Sequence, residues 1–171
     1  MKINFVDINN EVIESLKNQF GEDKGINFIC GDILKVARGA VVSPANSYGY
    51  MDGGIDEAYI RYFGLELEVA VRNRLSLIGG SLSVGSAFTI ETGDERIPFM
   101  IFAPTMEMPG EVLPRNCYLA MGAILREIEK SNGRYDEVYC PGLCTGTGHV
   151  SPESAAEEMY RAFMNRMKRM K

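Results

Sequence analysis

The sequence predicts a three-layer α/β/α fold around a central mixed, mostly parallel sheet. Two observations carry that expectation. Short β-type runs alternate with stretches of helical periodicity, a pattern that favours parallel strands covered by helices on both faces. Two glycine-rich loops also follow strands, at the sheet edge where such folds bind their ligands.

The elements follow in chain order. Ile3-Asn4-Phe5-Val6-Asp7-Ile8 alternates like a half-buried strand. Val12, Ile13, Leu16 and Phe20 then recur at helical spacing, and Gly21 is a stop signal. A strand from Ile26 to Cys30 leads into Gly31-Asp32-Ile33, and Ala40-Val41-Val42 reads as a short buried strand before Pro44. Helices are expected from about Ile55 to Phe63 and onward to Leu77, broken by Gly79-Gly80. Strands follow near Ala87–Glu91 and Phe99–Ala103, the second ending at Pro104-Thr105-Met106. Cys117, Met121, Ile124 and Ile128 mark one face of a helix from Arg115 to Lys130. Tyr135–Cys140 is the last strand. Ser151 reads as an N-cap with Pro152 at the first helical position, and the final helix ends in Arg166, Lys168, Arg169 and Lys171.

Composition narrows the function classes. A length of 171 residues suits one domain spanning residues 1–171. No run reaches the ~18 apolar residues of a membrane span, so no membrane partner is expected. The opening Met-Lys-Ile-Asn-Phe-Val-Asp meets Asp7 before an apolar signal region can form, so the expected location is the cytoplasm. Cys30, Cys117, Cys140 and Cys144 are too scattered for a secreted disulfide scaffold, and each reads as a small buried apolar residue. The net charge of −5 argues against a nucleic-acid partner. A small anionic ligand stays open if backbone N–H groups and helix N-termini hold it. Oligomeric state is left open.

The first loop, from Ser43-Pro44-Ala45-Asn46 through Tyr48-Gly49-Tyr50 to Gly53-Gly54-Ile55-Asp56, joins a buried strand to a helix start, where unpaired N–H groups and the helix dipole favour an anion. Asn46 can donate to and accept from a sugar hydroxyl pair, and Asp56 can accept from a hydroxyl or orient a water. A tight turn in which both merely cap backbone is the alternative. The second loop, Pro141-Gly142-Leu143-Cys144-Thr145-Gly146-Thr147-Gly148-His149, offers consecutive N–H groups and hydroxyls. It lacks the Lys of a P-loop, and Ser151 stands where a dinucleotide fingerprint has its third glycine.

Together, Gly-Asp-Ile at residues 31–33, Asn46 with Gly-Gly-Ile-Asp at residues 53–56, and Gly-Leu-Cys-Thr-Gly-Thr-Gly at residues 142–148 resemble the macrodomain family over nearly the whole chain. The wording Ser-Pro-Ala-Asn-Ser, Met-Asp-Gly-Gly-Ile-Asp and Ala-Pro-Thr-Met is similar to a branch found in bacteria and their phages. The resemblance implies that Asp32 recognises the adenine amino group of ADP-ribose and that the Ile33 amide binds the ring. Asn46 would contact the distal ribose. Gly53, Gly54 and Ile55 would flank the diphosphate and that ribose, and Gly142, Thr145, Gly146, Thr147 and Gly148 would wrap the diphosphate. It further implies hydrolysis of ADP-ribosyl esters or O-acetyl-ADP-ribose, with Asn46 fixing the sugar and Asp56 positioning or activating a water. The partners implied are ADP-ribose or a derivative, free or carried on an ADP-ribosylated protein. No cofactor and no metal is implied.

Departures from the family pattern qualify the catalytic implication. Ser43-Pro44-Ala45-Asn46 replaces Asn-Ala-Ala-Asn, Tyr48-Gly49-Tyr50-Met51-Asp52 replaces a longer glycine run, and Glu57 follows Asp56 where a small residue is usual. Gly148-His149 stands where an aromatic often covers the ribose. Asp52 is a rival acid or a turn residue. His149, the only histidine, reads as a solvated loop residue or as an acid for a phosphatase. A Cys144–His149 nucleophilic pair and a zinc site at Cys140, Cys144 and His149 are weaker readings. Tyr48 and Tyr50 stack on adenine, shield the ribose, or pack under the loop. Three classes remain: a hydrolase, an ADP-ribose reader without turnover, and a phage-type structural or assembly protein with a degenerate site.

Overall fold

The computed structural model describes residues 2–22 and 25–169; Lys171, assigned above to the end of the last helix, lies outside them. Six strands form one sheet: β1 (Lys2–Asp7), β2 (Ile26–Cys30), β3 (Ala40–Ser43), β4 (Phe88–Glu91), β5 (Phe99–Phe102) and β6 (Glu137–Cys140), in the order β2-β1-β6-β3-β5-β4. All neighbouring pairs are parallel except β4 with β5, so the sheet is mixed and mostly parallel, as expected. One layer holds α1 (Asn10–Phe20), α5 (Arg115–Lys130) and α6 (Pro152–Arg169). The other holds α2 (Ile33–Val36), α3 (Gly54–Phe63) and α4 (Leu65–Ser76). Among the described residues no helix is long and apolar enough to cross a membrane.

Side chains that alternate along the strands feed the two layers separately. On β3, Val42 joins Ile124 and Met159 in one core, while Val41 joins Tyr59 and Val71 in the other. β1 corrects the reading of a half-buried strand: Ile3, Asn4, Phe5 and Val6 are all buried. As an inner strand with helices on both faces it has no solvated side. The polar Asn4 that suggested alternation pairs within the sheet through its Oδ1, which accepts from Asn27 Nδ2 at 2.8 Å, while its buried Nδ2 has no partner among the described residues. Phe5, Phe20, Phe28, Tyr160 and Phe163 then knit β1, β2, α1 and α6 together. Burying rings of this size stabilises the fold by about 2–3 kcal/mol each.

Parallel pairing puts the carboxyl ends of β1, β2, β3, β5 and β6 on one edge. The segments that follow these strands therefore converge there, which is the geometry that builds a site.

Candidate ligand-binding site

A cavity of about 710 Å³ opens along that edge. Asp7, Asp32, Asn46, Asp56, Thr105 and Gly146 come from the ends of five different strands and all line it. Each residue expected at the site lies on its wall: Asp32, Ile33, Asn46, Gly53, Gly54, Ile55, Asp56, Gly142, Thr145, Gly146, Thr147 and Gly148. None of the described lining residues is Lys, Arg or His, and three are aspartates. An anion here must be held by backbone.

The backbone is free to do so. Among the described residues, the N–H groups of residues 143–148 donate to no protein acceptor. Gly53 caps α3 without a side-chain bond, leaving the first N–H groups of that helix open to the cavity. Gly54, at φ 58°, sits in the left-handed region that favours glycine. A Cβ on Gly53 or Gly146 would meet nothing within 4 Å, whereas one on Gly142 would strike Val12 at 2.4 Å and one on Gly148 would strike the Cys144 carbonyl at 2.6 Å. Gly142 and Gly148 thus answer to packing, whatever the cavity holds.

At the β2 end, Asp32 is the N-cap of the four-residue α2, its Oδ1 accepting from Leu34 N at 2.9 Å. That role leaves Oδ2 for a ligand and leaves the Ile33 N–H, first in the helix, unpaired. Under the first loop, Asp56 is buried and its Oδ1 accepts from Ser43 Oγ at 2.7 Å. Burial pushes its carboxyl up to about 7, and the Ser43 hydroxyl only partly offsets this. Asn46 is committed to its own loop: Oδ1 accepts from Tyr48 N at 3.1 Å and Tyr50 N at 3.3 Å, and Nδ2 donates to Tyr50 O at 2.8 Å. One Nδ2 hydrogen remains for a ligand. The Asn46 side chain closes the tight turn, and the residue also lines the cavity.

Of the weaker candidates, Cys144 lines the cavity, while His149, Cys140 and Asp52 do not. The His149 side chain is 68% exposed with Nδ1 4.0 Å from Glu111 Oε1, while Cys144 is buried. No hydrogen bond joins the two among the described residues. Cys117 beside Cys144, together with burial, holds its own thiol far above the usual range; burial does the same to Cys140. No group of three His, Cys, Asp or Glu side chains among the described residues is placed to hold a metal. Asp52 is exposed and does not line the cavity. Residues that the sequence did not single out complete the site. Asp7 Oδ2 accepts from Gly142 N at 3.0 Å and so ties the second loop to β1. Residues 103–109 run beside the first loop, with Thr105 N donating to Ala45 O at 2.9 Å and Ser47 N to Met106 O at 2.9 Å. A carboxylate at a strand's carboxyl end, just before the Asn9 N-cap, was the available signal for Asp7.

The sequence profile of the family described as Macro domain matches residues 42–159, a span that contains both glycine loops. The chain is a macro domain. Its relatives include uncharacterised proteins of Aeropyrum pernix, 33% identical over 137 residues that make up 80% of this chain and 69% of that protein, and of Aquifex aeolicus, 33% identical over 78% of each. The fold of this macro domain is similar to that of the macrodomain of Mycobacterium tuberculosis DarG, with a TM-score of 0.68 at 23% identity over 80% of this chain and 88% of that one. An Oceanobacillus iheyensis macrodomain with ADP gives 0.67 at 19% identity over 79% and 72%. Thermosipho africanus DarTG in complex with ADP-ribose gives 0.64 at 13% identity over 91% and 48%.

Proposed function

We propose that this macro domain binds ADP-ribose and hydrolyses ADP-ribosyl esters or O-acetyl-ADP-ribose. The carrying observation is a cavity for an anion with no cationic side chain on its described wall, floored by the unpaired N–H groups of residues 143–148 and of the α3 start. The family membership and the ADP and ADP-ribose held by the Oceanobacillus and Thermosipho proteins support the choice of nucleotide. In this reading Asp32 and the Ile33 amide take the adenine. Gly142, Thr145, Gly146, Thr147 and Gly148 wrap the diphosphate, and Gly53, Gly54 and Ile55 flank it towards the distal ribose beside Asn46. Water adds to the ester carbonyl, the ester C–O bond breaks, and a carboxylic acid and ADP-ribose leave. Asp56 takes the proton from that water and returns it to the departing ribose oxygen. A carboxyl held near 7 suits that exchange.

Calorimetric titration of ADP-ribose into the parent and into Gly146→Glu is the test of binding. A Cβ at position 146 meets nothing within 4 Å, so the variant is expected to fold and to lose micromolar binding through charge repulsion. Undetectable heat with the parent at millimolar ligand overturns the nucleotide assignment. Turnover of O-acetyl-ADP-ribose is expected to rise with pH through about 7 and to fall at least about a hundredfold in Asp56→Asn. Binding with no turnover in the parent, or turnover unchanged in Asp56→Asn, leaves a reader.

A further inference from the structure

Helix α4 carries apolar side chains on both of its faces. Leu67, Val71 and Leu75 are buried in the core beneath it. Leu65, Val69 and Leu77 are 69%, 56% and 77% exposed, and the exposed Ile78 follows them. Four of the eleven large apolar side chains exposed among the described residues thus lie within residues 65–78. A helix that is apolar all round is normally covered all round, and a gathered apolar patch marks a contact surface. Its far end is fixed in place: Ile78 N and Gly80 N donate to Leu75 O at 2.9 and 2.8 Å. None of residues 65–78 lines the cavity, so this surface is separate from the ligand site.

We propose that the outer face of α4 is a self-association surface, on which a second copy of this chain docks antiparallel across a two-fold axis. Leu65, Val69, Asn73 and Leu77 stand four residues apart in one exposed row with a leucine at each end. Rows of this spacing pack into one another where helices meet. Reversing one copy about the level of Val71 sets Leu65 over Leu77 and Val69 over Asn73, so the row complements itself, as a two-fold contact requires. Charge divides in the same way. Glu66 and Glu68 lie in the first turn, Arg74 in the last and Arg72 just before it. Antiparallel copies set each acidic half on the other's basic half, whereas parallel copies set like on like. Within the chain Glu68 and Arg72 pair at 4.0 Å, while Glu66 and Arg74 have no ion pair among the described residues. One helix from each copy makes a contact at the small end of specific interfaces, so the expected dissociation constant is about 10–100 μM.

The experiment is sedimentation equilibrium of the parent and variants from about 5 to about 500 μM, with melting curves at the low end to show that each variant folds. The parent is expected to pass from monomer to dimer, and Met167→Glu, which charges an exposed apolar side chain elsewhere, to follow it. Val69→Glu is expected to weaken association at least about tenfold. Two charge reversals read the orientation. Antiparallel docking predicts that Glu66→Arg with Glu68→Arg, and separately Arg72→Glu with Arg74→Glu, each weaken self-association, and that an equimolar mixture of the two proteins restores it. A parent that stays monomeric at about 500 μM overturns the proposal and leaves this face to a different partner. A dimer that persists in Val69→Glu, or that neither charge reversal weakens, overturns it as well.

Discussion

Asp56 is a carboxylic acid that the fold buries without a cation: among the described residues only the Ser43 hydroxyl bonds to it. Its folded value near 7 lies above the ordinary 3.8, so between those two pH values the folded protein holds a proton that the unfolded chain has released. Stability attributable to this group is therefore full below about 3.8 and falls as pH rises to about 7. Above that it stays reduced by on the order of 4 kcal/mol. Asp56→Asn keeps the shape and cannot ionise. Its thermal midpoint is expected to separate upward from the parent's between pH 4 and 7, with a constant gap at pH 8. Melting curves at five pH values check this, and parallel profiles for the two proteins sink it. The same substitution is the one expected to abolish turnover, so stability and activity oppose each other at one atom pair. That opposition is the usual mark of a buried acid kept for chemistry.

The smallest element, α2, depends on a distant residue. Arg96 donates to the carbonyls of Leu34 at 2.6 Å, Ala37 at 3.1 Å and Lys35 at 3.2 Å, closing the C-terminal end of the helix that Asp32 opens. Cations are favoured there by the helix dipole. Arg96→Ala is expected to lower the thermal midpoint by about 2–4 °C, from a loss of about 1 kcal/mol at this exposed position. It is also expected to weaken ADP several-fold by loosening Asp32. Unchanged midpoint and unchanged ADP affinity would count against the link. α2 was illegible in the sequence for the same reason that it needs Arg96: four residues are too few to show a 3.6-residue period. The long elements were legible because their apolar faces repeat, as Cys117, Met121, Ile124 and Ile128 do on α5, all buried. In the site, Asn46, the Gly53-Gly54 turn and the second loop stood out by residue type. Asp7, Ser43 and the strand-like path of residues 103–109 did not, since their roles arise only when five carboxyl ends meet. Tyr50 stood between three readings; its backbone N–H and C=O are bound by the Asn46 side chain and the residue lines the cavity.

At the scale of the molecule, a chain of net charge −5 whose cavity wall carries aspartates and no described cation is an unusual host for an anion. Its means of binding must show in how affinity responds to salt. Sites built from Lys and Arg weaken steeply as ions screen them. On the proposed reading the attraction comes from N–H groups in direct contact with the ligand, which screening reaches little, while screening relieves repulsion from Asp7, Asp32 and Asp56. ADP-ribose at about a hundred times its Kd is expected to stabilise the fold by about 2.7 kcal/mol, raising the thermal midpoint by about 5–10 °C. That shift is expected to persist between about 0.05 and 0.5 M sodium chloride, with Kd changing by less than about threefold. A midpoint shift that collapses over this range means that cations hold the ligand, and the nucleotide then sits elsewhere than on the two glycine loops. A shift that holds steady, and disappears in Gly146→Glu, leaves the unpaired N–H groups of the second loop and of the α3 start to account for it.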